Sequence, residues 1–430
     1  MAASLGKPLN VGLAGFGTVG SGLAEVLREN RDWVASRLGR PVVLKAVAER
    51  NPALRPAIEA HGAAYADDWR KLVDDPGIDV VVELIGGTGV ARECLRAALE
   101  KGKHAVTANK ALLAEHGAEL FPLAAKMGAH LGYEASVAGG IPLVQTFKGP
   151  LAANRTLALI GILNGTANFI LTEMSQRGMD FAAALKMAQD KGFAEADPTL
   201  DIEGVDTAHK LVLLIRLAFG KDYPLARLPV TGITVVTPMD IAFAREFGYG
   251  IKLLAQAREV DGRIEAGVYP ALVPDHYLLA QVSGSFNAVR LEGNAGPIML
   301  YGHGAGALPT GSAVLADIMH CGRGCAPDNT GFTHEPLPAA EILDLDEAVS
   351  LHYLRFMVPD RPGVLRDLGG AMADHGISIA QVIQKGEDAG HGVPIVLLTH
   401  EAKAGHIHAA MRQVADMGLA LDRTMHYRIL

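Results

Sequence analysis

The residues best suited to chemistry concentrate in one stretch of the chain, residues 188–210, AQDKGFAEADPTLDIEGVDTAHK. It contains five closely spaced carboxylates, Glu195, Asp197, Asp201, Glu203 and Asp206. Acidic residues suit a helix start, and Asp206 with Lys210 has the spacing of a surface salt bridge along a helix. Pro198 and Gly204 interrupt the helical pattern, however, so carboxylates crowded there repel one another unless a cation is bound. We therefore expect a substrate ammonium or a lysine among them.

A glycine-rich motif near the start of the chain points to a nucleotide. The short apolar run NVGLA predicts a buried strand, and a helical pattern, SGLAEVLREN, follows the motif. Between a strand and a helix, G-x-G-x-x-G is typical of a Rossmann dinucleotide site, where the glycines allow a tight turn and close approach of a pyrophosphate. The helix N-terminus then holds the phosphates. The predicted cofactor-binding residues are Gly15, Phe16, Gly17, Thr18, Val19 and Gly20.

The end of the next predicted strand, residues 42–50, bears on the choice between NAD and NADP. It carries both Glu49 and Arg50. An acidic residue here bonds the ribose 2′-hydroxyl of NAD, whereas an arginine favours the 2′-phosphate of NADP. These two residues leave both cofactors open.

Two further strand ends must position groups around the same cofactor. The nearly all-apolar run VVVELIGG, residues 80–87, predicts a central parallel strand, and Thr88 after it either bonds the cofactor or caps the next helix. In HAVTANKALLAEHG a short strand precedes a helix that we expect to begin near Ala111. Lys110 then stands at a strand's carboxyl edge, where the nicotinamide end of a cofactor would lie.

The acidic stretch resembles the signature of the homoserine dehydrogenases position for position, at Ala188, Gly192, Phe193, Ala194, Asp197, Pro198, Asp201, Ile202, Gly204, Asp206 and Lys210. The resemblance implies an enzyme of threonine and methionine biosynthesis that interconverts L-homoserine and L-aspartate 4-semialdehyde with NADP or NAD. It implies that Lys210 is the proton donor and that Lys110 contacts the cofactor and assists. Glu195 and Asp206 are then assigned to the substrate and to ordering Lys210.

The same resemblance implies three further features. An arginine after the second strand is frequent in this family, which favours NADP through Arg50, with NAD also possible. The segment HLGYEASVAGGIP is similar to a monovalent cation site, such as one for Na⁺, with ligands at Glu134, Val137, Gly139 and Ile141. A second glycine cluster, in PIMLYGHGAGALPTGSAVLADI, resembles a segment that returns to close over the cofactor, which assigns Gly306 to it.

Length and composition set the outer limits. A chain of 430 residues exceeds one ordinary core, so two or three domains are expected. A formal net charge of −8 with no polybasic run argues against nucleic acid or an anionic membrane as a partner. The N-terminus lacks a signal-peptide pattern, and three sparse cysteines fit free thiols in a reducing compartment, so we expect a cytoplasmic protein.

The C-terminal region reads strand, helix, strand, strand, helix, which is typical of a ferredoxin-like unit. Its turn at residues 359–365, PDRPGVL, resembles the ACT regulatory domain, in which small amino acids bind. The resemblance implies L-threonine as an effector and a homodimer or homotetramer. Because the preceding segment is rich in Pro and Gly, we expect truncation before Asp346 to leave a soluble, active core.

The predicted fold is therefore α/β, with a Rossmann-type dinucleotide-binding domain over residues 1–136 to which residues 301–325 return. Residues 137–300 form a mixed α/β catalytic and dimerisation domain, residues 326–349 a linker, and residues 350–430 the ACT domain. Two alternatives stay open: a dehydrogenase of another short amino-acid aldehyde or alcohol, and a non-catalytic amino-acid sensor. Loss of either lysine or of Glu195 would favour the sensor, and all three are present.

Overall fold

The computed structural model describes residues 6–386 and 391–430. In chain order the strands are β1 Leu9–Ala14, β2 Val42–Ala48, β3 Ala64–Ala66, β4 Val80–Glu83, β5 His104–Thr107, β6 Leu131–Gly132, β7 Thr156–Ile162, β8 Tyr249–Val260, β9 Arg263–Pro274, β10 Phe286–Gly293, β11 Gly296–His303, β12 Val349–Val358, β13 Ile379–Gln384, β14 Val393–Thr399, β15 Ala402–Lys403 and β16 Met425–Ile429.

The α-helices complete this framework. In chain order they are α1 Thr18–Glu29, α2 Arg31–Leu38, α3 Arg55–Ala60, α4 Arg70–Asp74, α5 Val90–Glu100, α6 Lys110–Lys126, α7 Val144–Lys148, α8 Gly165–Arg177, α9 Phe181–Asp190, α10 Thr199–Ile202, α11 Val205–Phe219, α12 Pro238–Glu246, α13 Ala307–Gly322, α14 Val364–Asp374 and α15 Ala404–Asp416. No helix in the two described ranges is both long enough and apolar enough to span a membrane.

The chain forms two compact units. The first unit comprises Met1–Leu159, Asp206–Arg227 and Asn287–Ala340, and the second comprises Ile160–Val205, Leu228–Phe286 and Glu341–Leu430. The acidic stretch therefore divides between them, because its first four carboxylates belong to the second unit and Asp206 and Lys210 to the first.

The first unit is built on a six-stranded sheet in the order β3-β2-β1-β4-β5-β6. All its neighbouring strands pair in parallel. The strand order changes direction beside β1, where Val11 pairs with Leu44 of β2 and with Val80 of β4. In such sheets ligands bind at the carboxyl ends of the strands, at the point of reversal. This is the Rossmann-type sheet that the glycine motif predicts.

Helices cover both faces of this sheet. On one face, Leu23 of α1 and Val314 of α13 lie in a core cluster with residues of β1, β2 and β4. On the other face, Leu72 of α4 packs with Cys94 and Ala98 of α5. The two helical layers leave the carboxyl ends of the strands as the place where loops converge.

The second unit contains a long hairpin and a ferredoxin-like unit joined in one sheet. Strands β8 and β9 pair antiparallel from Tyr249↔Pro274 to Val260↔Arg263. Strand β9 then pairs in parallel with β16, which continues antiparallel into β12, β14 and β13. The order β12-α14-β13-β14-α15-β16 confirms the predicted C-terminal fold and adds a last strand, β16, that the sequence pattern does not reveal.

Two segments differ from expectation. The strand predicted over residues 130–142 is reduced to β6, followed by a short 3₁₀ turn at Glu134–Ser136, because small residues and a Gly-Gly pair sustain a strand poorly. The Pro/Gly-rich segment before β12 is not a free tether. In the second unit, the Ile264 amide donates to the Glu341 carbonyl at 2.7 Å, and the Leu343 amide donates to the Ile264 carbonyl at 3.0 Å.

Candidate functional site

The glycine loop has the shape that its sequence predicts. Gly15 has φ 98°, and a Cβ there would lie 2.5 Å from the Leu84 carbonyl oxygen. At Gly20 a Cβ would lie 2.3 Å from the Gly15 carbonyl oxygen, so helix α1 approaches the loop only because both positions lack side chains. Gly17 has open space around its Cα and serves as the N-cap residue of α1. The first-turn amides of α1 are therefore available to an anion.

A cavity of about 500 Å³ opens beside this loop, at the end of β2. Arg50 and Arg70 line it together with Trp69. The Arg70 guanidinium carbon lies 4.6 Å from the centre of the Trp69 ring. The cavity thus offers two cations and an aromatic face, which are groups suited to a phosphate and a nucleobase.

Glu49 lines the same cavity, but both of its carboxylate oxygens accept backbone hydrogen bonds. The Phe16 amide donates to Oε2 at 2.8 Å, and the Asn51 amide donates to Oε1 at 2.9 Å. Glu49 therefore holds the glycine loop against the end of β2. Arg50 is exposed beside it.

A second cavity, of about 310 Å³, lies where β4 and β5 end, and Thr18, Glu83, Asn109 and Lys110 are among the residues that line it. Glu83 is fully buried, and its carboxylate accepts from the Thr107 hydroxyl at 2.6 Å and from the Ile85 and Gly86 amides at 2.8 and 3.1 Å. Burial raises the pKa of Glu83 above its usual value.

The Glu83 network extends to the residue before Lys110. The Thr107 hydroxyl accepts from the Asn109 amide at 3.0 Å, and Asn109 Nδ2 donates to the Gly87 carbonyl at 2.7 Å. Asn109 also caps α6 by accepting from the Leu112 amide at 3.1 Å. Helix α6 consequently begins at Lys110, one residue before the expected start, so Lys110 occupies the first helical position.

Asp206 is the point at which the two predicted catalytic lysines meet. Its Oδ2 lies 2.6 Å from Nζ of Lys210, and its Oδ1 lies 3.0 Å from Nζ of Lys110. The side chains of Asp206 and Lys210 are 10% and 11% exposed, whereas the Lys110 side chain is 36% exposed. The Asp206–Lys210 pair is therefore a buried ion pair and not the surface salt bridge that its spacing alone predicts. One carboxylate bridges two ammonium groups, one enclosed and one open.

The other carboxylates of the acidic stretch have partners within the second unit. Asp197 accepts from the Thr199 hydroxyl at 2.6 Å, Asp201 accepts from Asn164 Nδ2 at 2.7 Å, and the Thr234 hydroxyl donates to Glu203 at 3.3 Å. These three carboxylates need no bound cation, contrary to our expectation for the cluster as a whole.

Glu195 is placed differently from those three. It is exposed, and its backbone carbonyl accepts from Gln189 Nε2 at 3.3 Å. The turn that carries it is held to the start of α8, because the Thr166 hydroxyl donates to the Phe193 carbonyl at 2.6 Å. The polar residues at the start of α8 thus both cap that helix and fix the acidic stretch.

Thr88 and Gly306 both lie at the start of a helix. The helix cap that we considered for Thr88 is wrong, because Gly89 is the N-cap of α5. Thr88 is not among the residues that line the two cavities described above. Gly306 is the N-cap residue of α13 and has φ 128°. Its helix packs against α1, which places Gly306 in the same unit as the glycine loop.

The predicted cation segment adopts a tight loop. The Glu134 carboxylate accepts from the Val144 and Gln145 amides, each at 2.8 Å, and so caps α7. Its buried environment raises its pKa. Between Val137 and Ile141 the chain turns through Ala138, with φ 54°, and Gly139, with φ 53°. Backbone carbonyls of this loop are hard oxygen donors of the kind that a monovalent cation accepts. The described residues contain no group of three or more His, Cys, Asp or Glu side chains that could hold a metal ion.

Comparison with known proteins is consistent along the chain. The family model described as homoserine dehydrogenase, NAD binding domain, matches residues 15–134. The model described as homoserine dehydrogenase matches residues 142–319, and the ACT domain model matches residues 352–416. The homoserine dehydrogenase of Neisseria gonorrhoeae is 44% identical over 415 residues, covering 95% of each chain. That of Pseudomonas aeruginosa is 41% identical, covering 94% of this chain and 95% of the relative.

Solved structures agree. The crystal structure of a homoserine dehydrogenase from Thiobacillus denitrificans superposes with a TM-score of 0.93 at 41% identity, covering 99% of both chains. A homoserine dehydrogenase structure from S. aureus gives a TM-score of 0.79 at 32% identity, again with 99% coverage of both. This chain belongs to the homoserine dehydrogenase family.

As a member of that family, the chain is an oxidoreductase that acts on the CH–OH group of homoserine with a nicotinamide cofactor and carries an ACT domain. This confirms the activity that the signature predicts and disfavours a non-catalytic sensor. The two cavities described above are lined by residues of the NAD-binding match.

Glu83, Thr107 and Arg70 belong to the site but are not among the residues predicted from the sequence. Glu83 carries a recognisable signal, since it is the only acidic residue in the otherwise apolar run VVVELIGG. A carboxylate at the carboxyl end of a central parallel strand lies at the ligand-binding edge of the sheet. Arg70 carries no such signal, because it reaches the cavity from α4 rather than from a strand end.

Proposed function

We propose that Lys210, Asp206 and Lys110 form the proton-transfer centre of the reaction. The observation that carries this proposal is the single carboxylate of Asp206 placed 2.6 Å from one ammonium and 3.0 Å from the other. Oxidation of homoserine removes a hydride from carbon and a proton from the hydroxyl oxygen. The bound nicotinamide supplies the hydride acceptor. The proton needs a side chain that can both take and release it.

Lysine suits that task better than arginine, because an ammonium can lose its proton whereas a guanidinium keeps it. Asp206 holds two like charges near each other and offsets their repulsion. Lys210, enclosed and fixed by helix α11, is the proton donor in the direction of aldehyde reduction. Lys110, more exposed and fixed by the Asn109 cap, contacts the cofactor and polarises the reacting oxygen.

The substrate contributes an ammonium and a carboxylate of its own. We assign Glu195 to the ammonium, because this exposed carboxylate lies on a turn that Thr166 holds in place. We assign Asp206 to binding the substrate hydroxyl in addition to ordering Lys210. The test is Glu195→Gln, which should raise the KM for homoserine more than the KM for the cofactor. Equal effects on both would mean that Glu195 is structural.

NADP is the proposed cofactor, with Arg50 receiving the 2′-phosphate. Arg50 and Arg70 both line the cavity, and both oxygens of Glu49 already accept backbone amides, which weakens its competing role as a ribose ligand. NAD remains usable, because the glycine loop and the second cavity serve both cofactors.

The experiment compares initial rates of homoserine oxidation with NADP and with NAD. Arg50→Ala should raise the KM for NADP by about 10-fold, the value of one lost charge-assisted contact, and leave the KM for NAD nearly unchanged. Arg37→Ala is the matched control, since Arg37 is likewise an exposed arginine of the first unit but does not line the cavity. If both cofactors suffer equally from Arg50→Ala, the residue is structural.

A monovalent cation such as Na⁺ is proposed at the loop of Glu134, Val137, Gly139 and Ile141. The loop's two consecutive residues with positive φ support this, because they bend the backbone sharply between Val137 and Ile141, as a loop that surrounds an ion must. The cation would order this loop and take no part in proton transfer. Activity measured in choline salts and restored by Na⁺ tests the assignment.

The ACT domain is proposed to bind L-threonine at the turn of residues 359–365, in a cytoplasmic homodimer or homotetramer. Inhibition requires that threonine bind two states of the protein unequally. Activity of the full chain measured across millimolar threonine tests this directly. An unchanged rate with threonine and related amino acids would leave the domain a role in assembly alone.

A further inference from the structure

Glu83 is a buried carboxylate that the proton transfer proposed above does not use. It is fully buried at the end of β4, although the rest of that strand is apolar. A buried carboxylate is costly unless its oxygens receive hydrogen bonds. Here both oxygens receive them, Oε1 from the Ile85 and Gly86 amides and Oε2 from the Thr107 hydroxyl. Glu83 therefore joins the turn after β4 to the end of β5.

The bonds to Oε1 restrain the turn that follows β4. Gly86 and Gly87 have φ 80° and 71°, and a Cβ built at either would meet no atom within 4 Å. Glycine backbone has wide conformational freedom, and the open space leaves that freedom unchecked. The carboxylate of Glu83 thus fixes a turn that its own residues would leave loose. Gly86 also lines the second cavity.

The bond to Oε2 has a direction that the neighbouring groups determine. The Thr107 oxygen accepts from the Asn109 amide at 3.0 Å, so the Thr107 hydrogen points to Oε2 of Glu83, 2.6 Å away. The Asn109 amide donates to Thr107, and Thr107 donates to Glu83. This chain of donors must end on a group that only accepts, and an ionised carboxylate is such a group.

Asn109 is held at each of its polar groups. Besides its amide, its Oδ1 accepts from the Leu112 amide at 3.1 Å and its Nδ2 donates to the Gly87 carbonyl at 2.7 Å. Its carbonyl accepts from the Leu113 amide at 3.2 Å. Because Lys110 follows directly, this network determines where the side chain of Lys110 leaves the backbone.

Lys110 has a flexible side chain, so the position of its ammonium depends on the position of its backbone. Its Nζ lies 3.0 Å from Oδ1 of Asp206, and Lys110 lines the same cavity as Glu83. We propose that Glu83 and Thr107 are positioning residues for the reaction, which hold the start of α6 so that the Lys110 ammonium lies between Asp206 and the reacting oxygen. This inference rests on the role proposed for Lys110.

The first test separates the Thr107 hydroxyl from the Thr107 shape. Thr107→Val keeps the shape and removes the hydroxyl, and it should lower kcat for homoserine oxidation by about 10–100-fold, as expected for a misplaced catalytic group. The KM values for homoserine and NADP should stay within about 3-fold, because uniform binding is not lost. Thr107→Ser keeps the hydroxyl and should keep kcat within about 3-fold of the wild type.

Thr330→Val is the matched control. Thr330 is a threonine of the first unit that is 1% exposed, and its hydroxyl has no hydrogen-bond partner among the described residues. It does not line the two cavities described above. The same change there should leave kcat within about 2-fold, because no hydrogen bond is removed.

The second test asks whether Thr107 acts through Lys110. In a chain that already carries Lys110→Ala, Thr107→Val should change kcat by less than about 3-fold, because residues that act through one group have non-additive effects. If Thr107→Val does not fold, Glu83→Gln replaces it in both tests. The amide of Gln keeps an acceptor for Ile85 and Gly86 but presents a donor to Thr107.

The two proposals fail in different ways. If Lys110→Ala lowers kcat and Thr107→Val lowers it again by the same factor, Lys110 keeps its role and the positioning inference is overturned. It is also overturned if Thr107→Val turns over as the wild type does, or if Thr107→Ser loses as much activity as Thr107→Val. If Lys110→Ala itself turns over as the wild type does, the proposed proton-transfer centre is wrong and the positioning inference is overturned with it.

Discussion

Two carboxylates in this molecule are each held by cations, and their settings differ. The side chain of Asp206 in the first unit is 10% exposed and bridges two lysines, one of which has a side chain 36% exposed. Asp240 in the second unit is fully buried and receives one arginine and three hydroxyls. The first site keeps an ammonium open to a cavity, whereas the second encloses its carboxylate completely.

The difference follows from the chemistry of the cations. A lysine ammonium can lose a proton, and its flexible stem lets it adjust to a reacting group. A guanidinium keeps its proton and fixes a carboxylate in a planar, two-bonded geometry. The Asp206 site is therefore suited to moving a proton, and the Asp240 site is suited to holding α12 and strands β12 and β16 in one arrangement. Variants at each site should separate these two roles.

Removing residues 346–430 should have the largest effect. A chain that ends before Asp346 strips Asp240 of Arg355, Tyr353 and Tyr427, and it removes β16 from its pairing with β9. We therefore expect the truncated chain to be insoluble or unfolded, contrary to the expectation from the Pro/Gly-rich linker. Circular dichroism and size-exclusion chromatography of the expressed fragment check this. A soluble fragment that turns over homoserine would show that the Asp240 contacts are dispensable.

Changing Lys210 should affect the reaction and leave the fold in place. Lys210→Ala is expected to lower kcat by about 10²–10⁴-fold, the usual range for a lost acid or base. Lys210→Arg should fail as well, because it keeps the charge but does not release a proton. Steady-state kinetics and a cofactor-binding titration make the measurement. The Lys186→Ala variant, which breaks an exposed pair with Asp190 at the same spacing, is the control.

Retained turnover in Lys210→Ala would contradict the assignment. So would a loss of cofactor affinity as large as the loss of kcat, because Lys210 is enclosed beside Asp206 and serves the proton rather than the nucleotide. An unfolded variant would instead mean that Lys210, like Arg355, is needed to hold the fold.

Replacing each carboxylate by its amide should affect mainly stability at Asp240 and mainly activity at Asp206. Asp240→Asn leaves Arg355 buried without a counter-charge, and we expect a loss of about 3–5 kcal/mol in the free energy of unfolding. Asp206→Asn should cost less stability, because Lys110 can turn toward water, and should cost more activity. Urea unfolding of both variants beside kinetics at the same pH makes the comparison. Equal stability losses would mean that both carboxylates are structural.

The sequence predicts the contacts between residues that are close together in the chain, and it does not predict those between residues that are far apart. The i,i+4 spacing of Asp206 and Lys210 and the position of Lys110 after a strand are visible in the sequence, because helices and strand ends impose fixed local geometry. The meeting of Lys110 with Asp206 joins residues far apart in the chain, and no periodicity encodes it. Asp240 looks like an ordinary first-turn acid of α12, since Tyr353, Arg355 and Tyr427 approach it from another part of the sequence.

The same limit applies to the fold. The glycine motif predicts β1, the loop and α1, because each glycine answers a local steric demand. The strand pairing of β16 with β9 is set by contacts between segments about 150 residues apart, and the last five-residue strand carries little signal by itself. For the acidic stretch the sequence predicts a contact that three of its carboxylates do not need. A bound cation is expected, but these three accept hydrogen bonds from hydroxyl and amide groups of the second unit.

The last prediction, confined to a narrow pH window, concerns a third carboxylate, Asp317, which is buried like Asp240 but is bonded to no cation among the described residues. Its Oδ2 accepts from the Glu134 amide at 2.7 Å, and the nearby Lys148 ammonium donates instead to the Asp328 carbonyl at 2.9 Å. Burial, with the Glu134 carboxylate beside it, raises the pKa of Asp317 to about 7. Asp317 therefore tests what enclosure does to a carboxylate when the arginine is missing.

The sign follows from proton binding. In the unfolded chain an aspartate ionises near pH 4, whereas the folded protein keeps the Asp317 proton up to about pH 7. Between these values the folded state binds the extra proton, so the free energy of unfolding falls as the pH rises, by at most about 1.4 kcal/mol per pH unit, and levels off above pH 7. Asp317→Asn removes this titration, so its stability relative to the wild type should rise across the same window. Urea midpoints measured from pH 4.5 to 8 give the difference, with Asp190→Asn as an exposed control whose slope should match the wild type. A constant difference between Asp317→Asn and the wild type at every pH would show that Asp317 is ionised in the fold, held by Lys148 much as Arg355 holds Asp240.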